Sequence, residues 1–355
     1  MAINRIELKD FLVFKGEFTS DFCSGVNVFI GGNGTGKTTL LRAMYAVQER
    51  SGNINDFNHF VGYFRGPFLK EEGDKIYDSI QKVLLTHSDG KIYGYLSNND
   101  NIRRYLSNSE KRIAYNIDDE DDGEKRIFVN IGEFDIKERG GIFQSVYIPE
   151  KDLLSNSRKL PESVEYGNLQ FTRCEIDLIK KSRVAAQKPL QPLVKKIHEI
   201  IGGVVTNDGE DFYVKRDGIE TPIPFSMEAS GYRKFGLLAT LIRNEQIKSG
   251  ATLFWDEPEN SLNPELIPVL VNILLELSRN DVQIFIATHS ELLASYFSVN
   301  QQQGDNVMFF SLYKDEQGQI KADANSRFDL LYQNKLTEEP VKLYKKQIEK
   351  GLGNG

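Results

Sequence analysis

The chain carries three short runs that are apolar at consecutive positions: Gly25-Val26-Asn27-Val28-Phe29-Ile30, Ala251-Thr252-Leu253-Phe254-Trp255, and Val282-Gln283-Ile284-Phe285-Ile286-Ala287. Such runs, bounded by turn residues, predict strands covered on both faces. Each is followed by a helical period. Leu40, Leu41, Met44 and Val47 make one stripe over Thr38–Arg50, and Asn263–Arg279 separates the second run from the third. A further amphipathic helix is predicted over Lys234–Gln246. The N-terminus alternates instead, in Ile6-Glu7-Leu8-Lys9-Asp10-Phe11, as a half-covered strand does. Residues 53–143 mix strand-like pieces (Lys91–Leu96, Lys125–Val129) with polar turns, and a strand follows at Gln144–Ile148. Residues 153–202 show helix-spaced apolar faces (Ile176, Leu178, Ile179, Val184; Leu190, Leu193, Val194, Ile197) with a break at Pro189–Pro192. A hairpin is predicted over 204–225, turning at Asp217-Gly218. The end predicts a closing strand at Asn306–Leu312, a hairpin at Asp315–Gly318 and a terminal helix.

Strands alternating with helices predict an α/β fold with a largely parallel sheet. At 355 residues there is room for one core plus an inserted lobe. The expected division is a core of residues 1–52, 144–152 and 220–335, an inserted α+β region at 53–143, a helical lobe with hairpin at 153–219, and a C-terminal helix or tail at 336–355.

Composition adds mostly exclusions. The net charge is −7 and the pI about 5.4, which argues against a globally basic nucleic-acid binder and leaves a local basic face open. Cys23 and Cys174 lie far apart in sequence, show no metal spacing and read as free thiols of a reducing compartment. No apolar run approaches the roughly 20 residues of a membrane helix, and a signal peptide is not expected, since Met1–Arg5 run straight into an alternating strand. A soluble cytoplasmic protein is expected. Arg103-Arg104 to Lys111-Arg112, around Tyr105, and the acidic loop Asp118–Glu124 read as solvated surface before they read as partner patches.

The chemistry sits where predicted strands end. Gly31-Gly32-Asn33-Gly34-Thr35-Gly36-Lys37-Thr38 fits G-x-x-x-x-G-K-[ST] at every constrained position, between strand and helix. Backbone N–H groups of such a loop curl around phosphate oxygens, helped by the partial positive charge of the helix N-terminus. Asn33, Gly34, Thr35, Gly36, Lys37, Thr38 and Thr39 are therefore the candidate phosphate ligands, with the Thr38 hydroxyl a candidate for Mg²⁺. The second run ends in Asp256-Glu257-Pro258: Asp256 is placed to hold Mg²⁺, and Glu257 to orient and deprotonate an attacking water. The third ends in Thr288-His289-Ser290, one βαβ step away, so His289 is expected beside Glu257 as a γ-phosphate sensor. Ser230 and Gly231 precede the amphipathic helix, with Ser230 as its expected cap and an anion site at the helix start.

With these motifs in this order, the chain resembles ABC-type ATPases of the RecF, SMC and OLD-like group, and among them the stand-alone bacterial AAA family ATPases found in anti-phage or toxin-linked operons. Glu228-Ala229-Ser230-Gly231-Tyr232-Arg233-Lys234 resembles the signature motif, with its serine one place late, and Glu259-Asn260-Ser261-Leu262-Asn263-Pro264 the D-loop. The likeness is close over about residues 1–50 and 220–300. It implies a P-loop NTPase of ABC-ATPase type: a mixed central sheet flanked by helices, using ATP and Mg²⁺. It also implies a homodimer or larger assembly in which the partner supplies Ser230 and Gly231 to a sandwiched nucleotide, acting on a separate effector protein or on nucleic acid, without a membrane partner. A Q-loop glutamine is not evident. Gln144 opens its strand instead of closing it, and Glu150 stands open as the replacement. A DNA-repair clamp, a transporter subunit and an ATP-dependent scaffold are the rival readings. A Toprim nuclease domain, as in OLD-like proteins, is not expected in the residues after His289.

Overall fold

The structure, a computed structural model, describes residues 2–50, 60, 62–64, 80–97, 113–119, 125–131, 143–153, 172–185, 191–209 and 211–352. Strands β1 (Ile3–Phe11), β2 (Phe14–Asp21) and β3 (Val26–Gly31) precede helix α1 (Lys37–Arg50). Then come β4 (Lys82–His87), β5 (Ile92–Ser97), β6 (Ile113–Asp119), β7 (Lys125–Ile131) and β8 (Ser145–Ile148). The helical lobe holds α2 (Arg173–Ser182) and α3 (Pro192–Ile201), followed by β9 (Val204–Asn207), β10 (Phe212–Lys215) and β11 (Ile223–Pro224). The remainder is α4 (Ser230–Arg243), β12 (Thr252–Asp256), α5 (Ile267–Arg279), β13 (Gln283–Ala287), α6 (Glu291–Asn300), β14 (Val307–Lys314), β15 (Ile320–Asn325) and α7 (Lys335–Leu352).

The first sheet runs β15-β14-β3-β13-β12-β8. All its pairs are parallel except β14 with β15. Every residue of β3, β8, β12 and β13 is buried, as the consecutive apolar runs predict. One face carries Val28, Leu253, Trp255, Ile284 and Ile286 into a core shared with α4, α5 and α6. The other carries Phe29, Phe254, Phe285 and Phe310 toward α1. These four rings form a row across the strands, Phe29 on Phe310 at 4.8 Å and Phe254 on Phe285 at 5.2 Å. Cross-strand aromatic contacts of this kind pin the register.

The second sheet is antiparallel, in the order β2-β1-β4-β5-β7-β6. It covers the outer side of α1, so Leu40, Leu41, Met44 and Val47 share one core with Ile6, Leu8, Val83 and Leu85. This sheet crosses the boundary expected at residue 52, because β1 of the N-terminal segment pairs along its length with β4 of the inserted region. Alternation in β1 identified a half-covered strand; its partner is set by the tertiary fold.

Helix α4 starts four residues earlier and ends three residues earlier than its apolar period suggests. Its first helical bond runs from the Arg233 N–H to the Ala229 carbonyl, and Glu245 stops it by turning left-handed at φ 57°. Pro192 opens α3 at a position where its missing N–H breaks no helical bond. The hairpin expected over 204–225 is a three-stranded sheet, β11-β10-β9. Both cysteines are free. The basic stretch 103–112 and residues 120–124 of the acidic loop lie outside the described residues.

Among the described residues, one buried polar side chain lacks a partner at both of its polar atoms. His87, at the end of β4, is 1% exposed, stacked on Phe143 at 4.3 Å, with neither ring nitrogen hydrogen-bonded. Burial pulls its pKa down to about 4. Between about pH 4 and 6.5 the unfolded chain therefore binds a proton at His87 that the folded chain refuses, so stability falls as pH falls through that window. Going from pH 7 to pH 5 is expected to remove about 2 kcal/mol through this residue alone. Urea unfolding at the two pH values checks it: the loss should be smaller by that amount in His87→Leu, and equal losses in both proteins would refute it.

Candidate functional site

Strand β3 delivers its C-terminal end to a tight loop that α1 closes. Gly34 (φ 72°) and Gly36 (φ 86°) take the left-handed backbone that β-carbons resist, and a Cβ on Gly36 would stand 2.7 Å from the Phe14 ring. A Cβ on Gly32 or Gly34 would meet nothing within 4 Å, so the loop is open to solvent on its outer side. Asn33 and Gly34 are exposed at the tip, Thr35 and Gly36 are buried, and Thr38 and Thr39 are half-buried on the first turn of α1. Thr35 Oγ1 donates to the Gly32 carbonyl at 2.8 Å, and Lys37 Nζ donates to the carbonyls of Gly31 (2.8 Å) and Gly32 (3.2 Å). Burial draws the Lys37 amine down to about 8 against the opposing pull of Glu257, Asp256 and Glu259. A glycine loop at a helix N-terminus, with a lysine beside it, suits a phosphate chain.

Strand β12, two strands away, brings Asp256 to the same place. Thr38 Oγ1 donates to Asp256 Oδ1 at 3.1 Å across 218 residues of sequence. Two hard oxygens about 3 Å apart fit neighbouring corners of an octahedron of 2.0–2.1 Å bonds, the geometry of Mg²⁺. No cluster of three or more His, Cys, Asp or Glu side chains suited to a metal occurs among the described residues. Mg²⁺ sites take one or two protein oxygens and fill the rest with phosphate and water. The other oxygen, Asp256 Oδ2, accepts from the Tyr147 hydroxyl at 3.2 Å, and Arg42 Nε donates to that hydroxyl at 3.3 Å. Burial raises the Asp256 carboxyl, with Thr38, Arg42 and Tyr147 acting against it.

Glu257 follows in a left-handed conformation at φ 46°, its N–H bonded to the Ala287 carbonyl at 2.8 Å. That turn throws its carboxylate out of the strand line to within 3.4 Å of His289 Nε2. Burial lowers the His289 pKa, helped by Lys37, so the imidazole is neutral at pH 7. Burial raises Glu257, with Glu150, Glu259 and Asp256 adding to it. A carboxylate whose pKa is lifted toward neutrality is a better proton acceptor for water than an ordinary one. The juxtaposition of His289 and Glu257 expected from the βαβ step is present.

Ser230 is not a helix cap. It is the first residue of α4, Ala229 occupies the cap position, and Ser230 Oγ donates to the Ser261 carbonyl at 3.0 Å. The reason is the Asp256–Pro264 segment, which packs so closely that a Cβ on Gly231 would stand 3.1 Å from Leu262. Among the described residues neither Ser230 nor Gly231 hydrogen-bonds to the loop of residues 33–39. Gln144 precedes its strand and donates to the Glu245 carbonyl. Glu150, just beyond β8, accepts from Asn260 Nδ2 at 2.6 Å and so reaches the site.

Four further residues belong to the constellation without a sequence signal that singles them out. Tyr147 and Arg42 sit inside a strand run and a helical stripe. Glu259 Oε1 accepts from Thr288 Oγ1 (2.5 Å) and the His289 N–H (3.2 Å), anchoring the end of β13. Lys234 donates to two carbonyls of the Glu257 turn. For Glu259 and Lys234, position within the D-loop-like and signature-like segments was the available hint.

The family model described as "AAA domain, putative AbiEii toxin, Type IV TA system" matches residues 26–295. No curated protein matches the chain. Among solved structures, an SMC head bound to the C-winged helix domain of ScpA matches with 14% identity over 92% of this chain and 98% of its own, at a TM-score of 0.52. The SMC head domain from Thermotoga maritima matches at 15% identity over 92% and 99% (TM-score 0.46). An Smc head from Pyrococcus furiosus, with an extended coiled coil and bound to the C-terminal domain of ScpA, matches at 14% over 97% and 99% (TM-score 0.48). The first of these, at 14% identity and a TM-score of 0.52, shows a likeness of fold alone, to an SMC head. The family model covers about three quarters of the chain, including both strand-end acids and the loop–helix that face them, and the chain belongs to this AAA-domain family.

Proposed function

We propose that the chain is a Mg²⁺-dependent ATPase that hydrolyses ATP to ADP and phosphate between two protomers. The observation that carries this reading is the 3.1 Å contact of Thr38 with Asp256, beside the approach of the Glu257 carboxylate to His289 at 3.4 Å. In this reading Asn33–Thr39 hold the phosphates, and Thr38 and Asp256 hold Mg²⁺, which neutralises charge on the transferred phosphoryl group. Glu257 takes the proton of the attacking water and His289 contacts the γ-phosphate. Ser230 and Gly231, turned toward their own D-loop-like segment, serve the nucleotide of the partner protomer. Opening and closing of that interface controls a separate effector protein. The family's description, which names a toxin and a toxin–antitoxin system, supports a role in toxin control or anti-phage defence. The SMC head with ScpA bound supports a protein partner for this fold. Among the described residues no helix is long and apolar enough to cross a membrane.

Glu257→Gln should keep ATP affinity and lose turnover by about 10²- to 10⁴-fold, the contribution of a general base. Light scattering should show this variant shifting to a dimer or larger species only with Mg-ATP. Normal hydrolysis by Glu257→Gln would overturn the base assignment.

The composite site makes a sharper prediction. Glu257→Gln and Ser230→Arg should each be inactive alone, since both sites of either symmetric dimer are broken. Mixed one to one, heterodimers regain one intact site, and the activity should return to about a quarter of wild type. A mixture as inactive as its components would remove Ser230 from the partner's site.

A further inference from the structure

The catalytic turn is held in an unfavourable backbone conformation, and a side chain from another element holds it there. Glu257 sits at φ 46°, a region that disfavours residues bearing a β-carbon. Its N–H is bonded to the Ala287 carbonyl at 2.8 Å, and its carbonyl accepts from the Asn260 N–H at 3.1 Å. The Glu257 carbonyl also accepts from Lys234 Nζ at 3.0 Å, and the same ammonium donates to the Pro258 carbonyl at 3.1 Å. A lysine that binds two successive carbonyls fixes the peptide between them, and with it the direction in which the Glu257 side chain leaves the turn.

Lys234 stands on the second turn of α4, the helix whose first residues are Ser230 and Gly231. The same helix start is tied to the surrounding segments at two more points. Ser230 Oγ donates to the Ser261 carbonyl at 3.0 Å, and Arg233 pairs with Asp152, beyond β8, at 2.7 Å. The first two turns of α4 are therefore bonded both to the segment that carries the base and to the segment after β8. Burial draws the Lys234 amine down to about 8, against the opposing pull of Glu259 and Glu257 after β12 and of Glu150 and Asp152 after β8.

We infer that Lys234 is a positioning residue for the catalytic base: it locks the Glu257–Pro258 peptide in the left-handed turn and so sets the direction of the Glu257 carboxylate. This rests on the ATPase reading above.

The test uses the full-length chain with Lys234→Met, which keeps the aliphatic stem and removes the donors, and Lys234→Arg, which keeps donors and charge. Three quantities are read: affinity for a fluorescent ATP analogue with Mg²⁺, kcat for ATP, and the thermal midpoint. Lys234→Met should bind the analogue within about 3-fold of wild type while kcat falls by about 10²-fold, the lower range for a displaced general base. Lys234→Arg should recover most of that loss. In a Glu257→Gln background, Lys234→Met should reduce the residual rate no further, since the two act as one unit. A wild-type kcat in Lys234→Met would overturn the inference. So would parallel losses of affinity and kcat, or a lowered midpoint that Lys234→Arg does not restore, either of which would assign the lysine to binding or to the fold. Absence of hydrolysis in the wild-type chain is a different result, and refutes the ATPase reading itself.

Discussion

Burial of both faces of the parallel sheet is the constraint on which the rest of the structure depends. No residue of β3, β12 or β13 reaches solvent, so polar side chains along these strands must be satisfied inside. Most are, the exception among the described residues being the buried Trp255 indole N–H, which has no hydrogen-bond partner. Asn27 Nδ2 donates to the Cys23 carbonyl, and the Gln283 side chain bonds both the N–H and the carbonyl of Ile3. Charge is tolerated only where the strands end. Asp256, Glu257 and the Thr288–His289 pair occupy those ends, side by side because the strands are parallel and in register, Asp256 opposite Ala287. The C-terminal edge of such a sheet is where α/β proteins bind ligands, for this reason.

The second sheet completes the arrangement by covering α1. A helix that presents its N-terminus to a ligand must be held firmly, because the ligand pulls on its first turn. Here Leu41, Met44 and Tyr45 are wedged between the phenylalanine row of one sheet and the apolar face of the other. The polar network at the far side of α1 adds to this: Lys181 Nζ donates to Glu49 and to the Ser145 carbonyl, both at 2.6 Å, joining α1, α2 and β8. Tyr147, on that same strand, carries the order onward to Asp256.

Rigidity of this kind makes the strained turn at Glu257 possible. A left-handed glutamate persists only if its surroundings over-determine it, and here an N–H, two carbonyls and a lysine do so. The strain sits where a carboxylate must leave the strand line to meet His289, which links backbone conformation to chemistry at this residue.

The local features of the site were legible because they are local. Consecutive apolar residues mark two-faced strands whatever surrounds them, and the loop Gly31–Thr38 needs only its own glycines, lysine and threonine between strand and helix. The βαβ step added one long-range fact, the meeting of His289 with Glu257, because right-handed crossover leaves it little choice. Other features were not legible for a common reason: they depend on partners distant in sequence. The start of α4 at Ser230 instead of Lys234, and the loss of its expected cap, follow from the packing of residues 256–264 against it. Tyr147 looked like any strand tyrosine until β8 lay beside β12. The division of the chain by sequence stretches missed that β1 and β4 share a sheet. Sequence alone thus determined the buried strands, the phosphate-type loop and the acids at the strand ends, since each is written in neighbouring residues. Only the tertiary structure decided which side chains steady those acids, because hydrogen bonds such as Tyr147–Asp256 and Lys234–Glu257 join positions that nothing along the chain connects.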